Sequence, residues 1–252
     1  MKAYRKYAKS LIKNNLLSAV ICILFTNIVY LILKCADFAI NTYFYPYYIS
    51  DFKNLIFILV VILLHFILLY PLKIGRIKCF YDNCVTKKLK LSNLFYYYSS
   101  FKLFISVSFS LLIKKAILMI FAFLTIVPAY SFVKIAFMNT LSPIIQAISL
   151  MLLTLSAIIY LLFSCSLFLT EYIIVETEKN VFFAIFKSIS LMRGNIINLV
   201  EIFVRFIPLF ALCLTIIPTF YVLPLYNQTT AYFANRIIFR SPICARASLA
   251  GI

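Results

Sequence analysis

The chain has 252 residues, of which 65% are apolar and only 12% charged, and its mean hydropathy is +1.04. Globular proteins average roughly 45–50% apolar and about 25% charged residues, so a soluble domain of this size would lack the polar side chains to cover its surface. The formal charge is +17, from 24 Lys and Arg against 7 Asp and Glu. These charges flank long apolar runs, which fits the positive-inside pattern of membrane proteins and not a nucleic-acid-binding surface. The lipid bilayer is the expected solvent. The richness in Lys, Asn, Ile, Phe and Tyr is what an AT-rich coding sequence produces, and it points to a bacterial cell membrane.

In chain order, residues 1–14 carry Lys2, Arg5, Lys6, Lys9 and Lys13 and no acid. A first span is predicted over 15–35, read as an uncleaved helix because no small-residue cleavage site follows it. The loop 36–53 is nearly neutral, and its Asn41–Tyr48 stretch is rich in the tyrosines that favour the membrane–water interface. A second span is predicted over 54–72. The segment 73–102 then reads as the most basic loop, with Lys73, Arg76, Lys78, Lys87, Lys88, Lys90 and Lys102 against Asp82. Its aromatic run Phe95–Tyr98 is expected to lie along the headgroup layer.

Lys114 and Lys115 interrupt the next apolar block. Two lysines at the bilayer centre would cost roughly 2.5–3.5 kcal/mol each on insertion scales. A span over 116–136, with 102–113 in the interface, places both near the cytoplasmic surface, where their long stems can snorkel. Pro128 is expected to kink that helix. A fourth span covers 143–168, after which Glu171, Glu176, Glu178 and Lys179 mark a cytoplasmic return.

Residues 180–193 read as an amphipathic surface helix, with Phe182, Ile185, Phe186, Ile189 and Met192 at the helical period. Asn180 is the expected N-cap, and Gly194 the left-handed residue at its end. A fifth span is predicted over 196–217, broken by Pro218. A weak sixth over 219–239 contains Pro224 and the polar run 227–230. Charge parity favours six spans: both termini are then cytoplasmic, and only Lys53 and Lys134 lie in outer loops. The expected fold is therefore an all-α polytopic transmembrane bundle with interfacial helices: one membrane domain over 1–239, and a tail, 240–252, to which no function is assigned.

Ala184–Asn195 (AIFKSISLMRGN) and Val222–Phe233 (VLPLYNQTTAYF) carry a resemblance to the bacterial integral membrane family called domain of unknown function 975. That family is distantly similar to the membrane domain attached to some glycerophosphodiester phosphodiesterases. Weaker matches are the basic N-terminal segment, Pro71–Gly75 (PLKIG) and Val127–Pro128. The chain departs from the pattern in having Ala129 after that proline, no Trp, and Arg205 where a small polar residue is usual. The resemblance implies a multi-span fold and no assigned activity.

Candidate chemistry is sparse, with one His, seven acids and three Gly. No catalytic constellation, phosphate-cradling glycine loop or metal-ligand spacing is present, so neither enzyme activity nor a cofactor is expected. The seven cysteines read as free thiols, several of them in apolar runs where they act as small hydrophobes. His65, mid-span, reads as a proton relay or as a neutral imidazole bonded to a neighbouring helix. Glu201 and Arg205, spaced i,i+4, are expected to neutralise each other, as a packing pair or as part of a transport path. Lys87, Lys88, Lys114, Lys115, Lys187 and Arg193 are the candidates for anionic lipid headgroups.

The expected function is that of a non-enzymatic membrane component: a scaffold, a subunit binding a membrane or cytoplasmic protein, or a lipid-interacting module. The alternative is a small transporter using His65, Glu201 and Arg205.

Overall fold

The computed structural model describes residues 2–44, 59–60, 63–138, 143–177, 180–213 and 216–240. Every regular element among them is helical. Two predicted features fall largely or wholly outside these residues. They are the start of the second span with the tyrosine-rich stretch before it, and the tail beyond Arg240.

Helix α1 (Lys2–Lys13) is amphipathic. Ala8, Leu11 and Ile12 are buried while Arg5, Lys6, Lys9 and Lys13 stay exposed, the i, i+3, i+4 spacing of a helix that covers a neighbour. Its neighbour is the last helix, reached in part through Tyr7 and Tyr232, whose rings are 4.5 Å apart. Helix α2 (Leu16–Phe44) runs past the predicted end of the first span, so 36–44 is helix and not loop. Its buried stripe is Ala19, Cys22, Ile23 and Thr26, followed among the described side chains by Leu33. Leu17, Ile28, Leu31 and Ile32 are exposed.

The largest departure from the sequence reading is α3 (Tyr70–Thr86), entered through a π-helical turn at His65–Leu69. Much of the segment expected to be a basic loop is a largely buried helix. Ile74, Cys79, Phe80, Tyr81 and Asn83 are all nearly inaccessible. It packs on α2, on a 3₁₀ segment (Leu91–Tyr98) and on helices described below. The cations on long stems were counted along the chain, whereas the helical turn sorts them to the rim and sends the apolar residues inward. Gly75 permits the closest of these contacts, since a Cβ there would overlap the Leu94 carbonyl. Lys87 ends α3 in the left-handed conformation (φ 57°), its N–H donating to the Asn83 carbonyl.

Helix α4 (Phe101–Met138) is a single unbroken rod. The predicted interfacial piece 102–113 and the predicted span 116–136 belong to one continuous helix, no Gly or Pro preceding Pro128 to end it. The α-helix also continues through Pro128. Helix α5 (Pro143–Ser166) lies along α4, with Phe121 and Phe163 stacked at 3.9 Å.

A short turn leads to α6 (Thr170–Thr177), buried from Thr170 to Val175. Of the acids expected to mark a cytoplasmic return, Glu171 is buried within this helix and Glu176 is exposed near its end, while Glu178 and Lys179 lie outside the described residues. Helix α7 (Val181–Met192) has the predicted bounds, and Gly194 is left-handed (φ 87°). Asn180 precedes it without a side-chain cap hydrogen bond. Ala184, Ile185, Ser188 and Met192 face the body, whereas Phe182, Phe186 and Ile189 are exposed, so the predicted apolar stripe is divided between two faces.

Helix α8 (Ile196–Leu212) is bent 85° from α7. Helix α9 (Ile216–Arg240) begins before Pro218, which falls in the first turn where its missing N–H costs no hydrogen bond. The break expected at Pro218 therefore lies earlier in the chain.

Three helical stretches are long and apolar enough to cross a membrane: Leu16–Ala36, Phe101–Tyr130 and Ala147–Thr177. The bent α7–α8 pair brings the number to four at most, and the six predicted spans are not reached among the described residues. Helix α9 is long enough but not apolar enough to be counted with them, because Asn227–Thr230 and its prolines, tyrosines and arginines lower its mean hydropathy.

Candidate functional site

The packed body has two polar clusters. In the first, Asn15, in the turn between α1 and α2, donates to the carbonyls of Leu11 and Lys87 and to Asn83 Oδ1. Asn83 in turn donates to Gln228 Oε1 at 2.8 Å, and Gln228 Nε2 donates to the Phe80 carbonyl at 3.2 Å. Gln228 Nε2 also lies 3.1 Å from Cys84 Sγ, whose thiol burial pushes up to about 12. Tyr172 donates to Thr230 Oγ1 alongside. Of the polar run that weakened the predicted sixth span, Gln228 and Thr230 thus pair across α3, α6 and α9, while Asn227 and Thr229 donate to carbonyls of their own helix.

The second cluster is ionic. Glu171 Oε1 on α6 accepts from Lys73 Nζ of α3 at 2.7 Å and from Lys114 Nζ of α4 at 3.0 Å. The Glu171 and Lys114 side chains are each only 12% exposed, while Lys73 is 42% exposed. Beside this triad opens a cleft of about 540 Å³, lined also by Arg76, Lys115, Thr26 and Asn27. Four cations and a single carboxylate line it, and Arg76 Nε is buried without an acceptor among the described residues. Such an arrangement is suited to an oxyanion, which would satisfy the guanidinium and offset the surplus charge.

Of the predicted site residues, Lys114 and Lys115 fall in this cleft. Lys73, Arg76 and Glu171 belong with them although the sequence does not single them out, Glu171 reading as part of a cytoplasmic return and the two cations as part of a basic loop. Their signal was present: Lys73 and Arg76 are spaced i,i+3, on one face of any helix.

Glu201 and Arg205 form the predicted pair, Arg205 Nη2 donating to Glu201 Oε1, with half-exposed side chains. Arg205 also lines a second cleft with Arg5, Lys6 and Lys9 of α1. His65 sits elsewhere, in the π-helical turn that packs on α2, α3 and α4, while α8 packs on α5 and α9. Lys87, Lys88 and Arg193 are exposed at helix ends, and Lys187 lies over the Phe183 ring. Near Lys87, burial raises the Asp82 carboxyl above the ordinary range, with partial relief from Lys78 and Lys90. Asn93 donates to it at 2.7 Å. Among the described residues no group of three or more His, Cys, Asp or Glu could hold a metal ion. No family model, no curated protein and no solved structure matches this chain.

Proposed function

We propose that this protein is a non-enzymatic, multi-pass module of the bacterial cell membrane whose basic cytoplasmic body engages anionic lipid headgroups. The observation that carries the reading is where burial stops. Among the described side chains, the last buried residue of α4 is Leu111, and on α2 only Leu33 is buried beyond Thr26. From those levels α4 continues for about 27 residues, or roughly 40 Å, and α2 for about 18 residues, or roughly 27 Å. Together with α5, these arms are long enough to cross a hydrocarbon core ~30 Å thick. Lys114 and Lys115 stand where body gives way to arms, at the headgroup level that positive-inside charge favours.

Both termini belong to the cytoplasmic side in this reading. The charge distribution requires an even number of crossings. Six satisfy it if α8 and α9 both traverse, since a central helix can carry polar residues that are paired internally. Four satisfy it equally if α8 and α9 form a re-entrant hairpin. The resemblance of 184–195 and 222–233 to domain of unknown function 975 supports the same multi-span fold and adds no activity. A protein partner on the basic face fits the reading as well. The transport alternative needs His65, Glu201 and Arg205 on one path, and none of the clefts described above holds both His65 and Arg205.

The test is lipid selectivity. Reconstituted protein is probed with spin-labelled phosphatidylglycerol and phosphatidylcholine, and the motionally restricted fraction of each is measured by electron paramagnetic resonance. The phosphatidylglycerol fraction exceeds that of phosphatidylcholine. The excess shrinks with added salt and in a Lys87→Gln, Lys88→Gln, Lys187→Gln, Arg193→Gln variant. Equal fractions for the two lipids would overturn the proposal.

A further inference from the structure

We infer that the cleft between α2, α3, α4 and α6 is a stoichiometric binding site for the phosphate group of one anionic phospholipid. This rests on the lipid-engaging reading above but is more specific than it, because surface charge alone creates no saturable site.

The charge balance comes first. Glu171 is shared by Lys73 and Lys114 through a single oxygen, so one negative charge answers two positive ones. Arg76 and Lys115 bring two more cations to the same cleft, and no other carboxylate among the described residues lines it. Arg76 is the telling group. Its Nε is buried and without an acceptor among the described residues, although a guanidinium presents donors in a fixed fork matched to two oxygens of a phosphate. A buried donor left unpaired is unfavourable, and an oxyanion ligand removes that cost.

The cleft's other walls indicate where the phosphate comes from. Leu69, Leu72, Leu111 and Leu118 line it beside the cations. A free phosphate gains nothing from such leucines, whereas the glycerol and first acyl carbons of a phospholipid do. The cleft also lies where the packed body ends, and the exposed apolar faces of α2 (Leu31, Ile32) and α4 (Met119, Phe123) continue beyond it. On α2 the polar Thr26 and Asn27 interrupt an otherwise apolar run at the level of the cleft. Asn27 is exposed and can donate to a headgroup hydroxyl or phosphate oxygen.

The experiment is native mass spectrometry of delipidated full-length protein titrated separately with dioleoyl phosphatidylglycerol, dioleoyl phosphatidylcholine and inorganic phosphate. One phosphatidylglycerol binds per chain and saturates, at least tenfold more tightly than phosphatidylcholine. Arg76→Gln and Lys115→Gln each weaken it tenfold or more, and Arg76→Lys lies between wild type and Arg76→Gln. Lys115 is exposed, so its substitution leaves the fold intact and keeps the test valid if Arg76→Gln fails to fold.

Inorganic phosphate binding as tightly as the lipid would overturn the lipid assignment. Phosphatidylglycerol binding that is unsaturable, or unchanged by Lys115→Gln, would overturn the site. If the spin-label excess of phosphatidylglycerol persists in that second case, the general lipid reading stands and only the specific cleft falls.

Discussion

Asn83 and Gln228 are separated by 145 residues in the chain and joined by a 2.8 Å hydrogen bond in a fully buried setting. That contact fixes the rotational setting of α9 against α3, because sliding or turning either helix leaves amide groups unpaired in an apolar surround. Gln228→Leu removes the acceptor for Asn83, at an expected cost of about 1–3 kcal/mol. The double Asn83→Leu, Gln228→Leu variant is less damaged than the sum of the two single changes. Unfolding of the three variants in detergent, read as a double-mutant cycle, measures the coupling. Strictly additive effects would show that the two amides do not depend on each other.

The Lys73–Glu171–Lys114 triad holds α3, α4 and α6 together. Glu171→Gln strands Lys114, whose side chain is 12% exposed, and the expected loss is about 3–5 kcal/mol. Lys73, more exposed, can turn to water, so Lys73→Gln costs less. Replacing Glu171 by Leu and Lys114 by Met together recovers most of the loss, since apolar substitutes avoid desolvating two charges. Thermal unfolding of the purified variants gives the ranking.

Asp82 provides a pH signature. Its folded-state carboxyl is raised by burial, so between the ordinary aspartate range and that raised value the folded protein holds more proton than the unfolded chain. Its contribution is therefore fully present below the ordinary range and is lost as pH rises through the raised value. The difference in melting temperature between wild type and Asp82→Asn, followed across that window, moves against the wild type with rising pH. A difference curve that is flat, or slopes the other way, contradicts the burial of this group.

Gly75 is needed for its lack of a side chain. Gly75→Ala drives a methyl group into the Leu94 carbonyl and must part α3 from the 3₁₀ segment. The expected destabilisation is about 1–3 kcal/mol. Faster amide hydrogen exchange should appear over residues 91–98, with α4 beyond Ala116 unaffected.

The sequence makes the membrane class legible because hydropathy is a local property, and α2, α4 and α5 carry it in long runs. The end of α7 is legible for a similar reason, Gly194 being left-handed at its own position, whereas Asn180 stands at the start without a side-chain cap hydrogen bond. What stayed hidden depends on partners. Lys73 and Arg76 look like loop charge until Ile74, Ile77 and Phe80, interleaved with them on the same helix, are seen to be buried. Glu171 looks like a boundary marker until Lys73 and Lys114 arrive from two other helices. The polar run Asn227–Thr230 weakens a span when read by hydropathy and supports the core once Asn83 and Tyr172 are found opposite it. The cleft was only half visible, through Lys114 and Lys115, because no sequence spacing links α2, α3, α4 and α6.

The division into a basic body and lipid-bathed arms is tested most directly by spin labels in reconstituted bilayers, comparing collision rates with oxygen and with a water-soluble nickel chelate. Labels at Ile32, Met119, Phe123 and Ile158 are predicted to meet oxygen readily and the chelate hardly at all, whereas labels at Lys88 and Arg193 show the reverse. Ready chelate access at Met119 and Phe123 would contradict the account, because those residues would then lie in water.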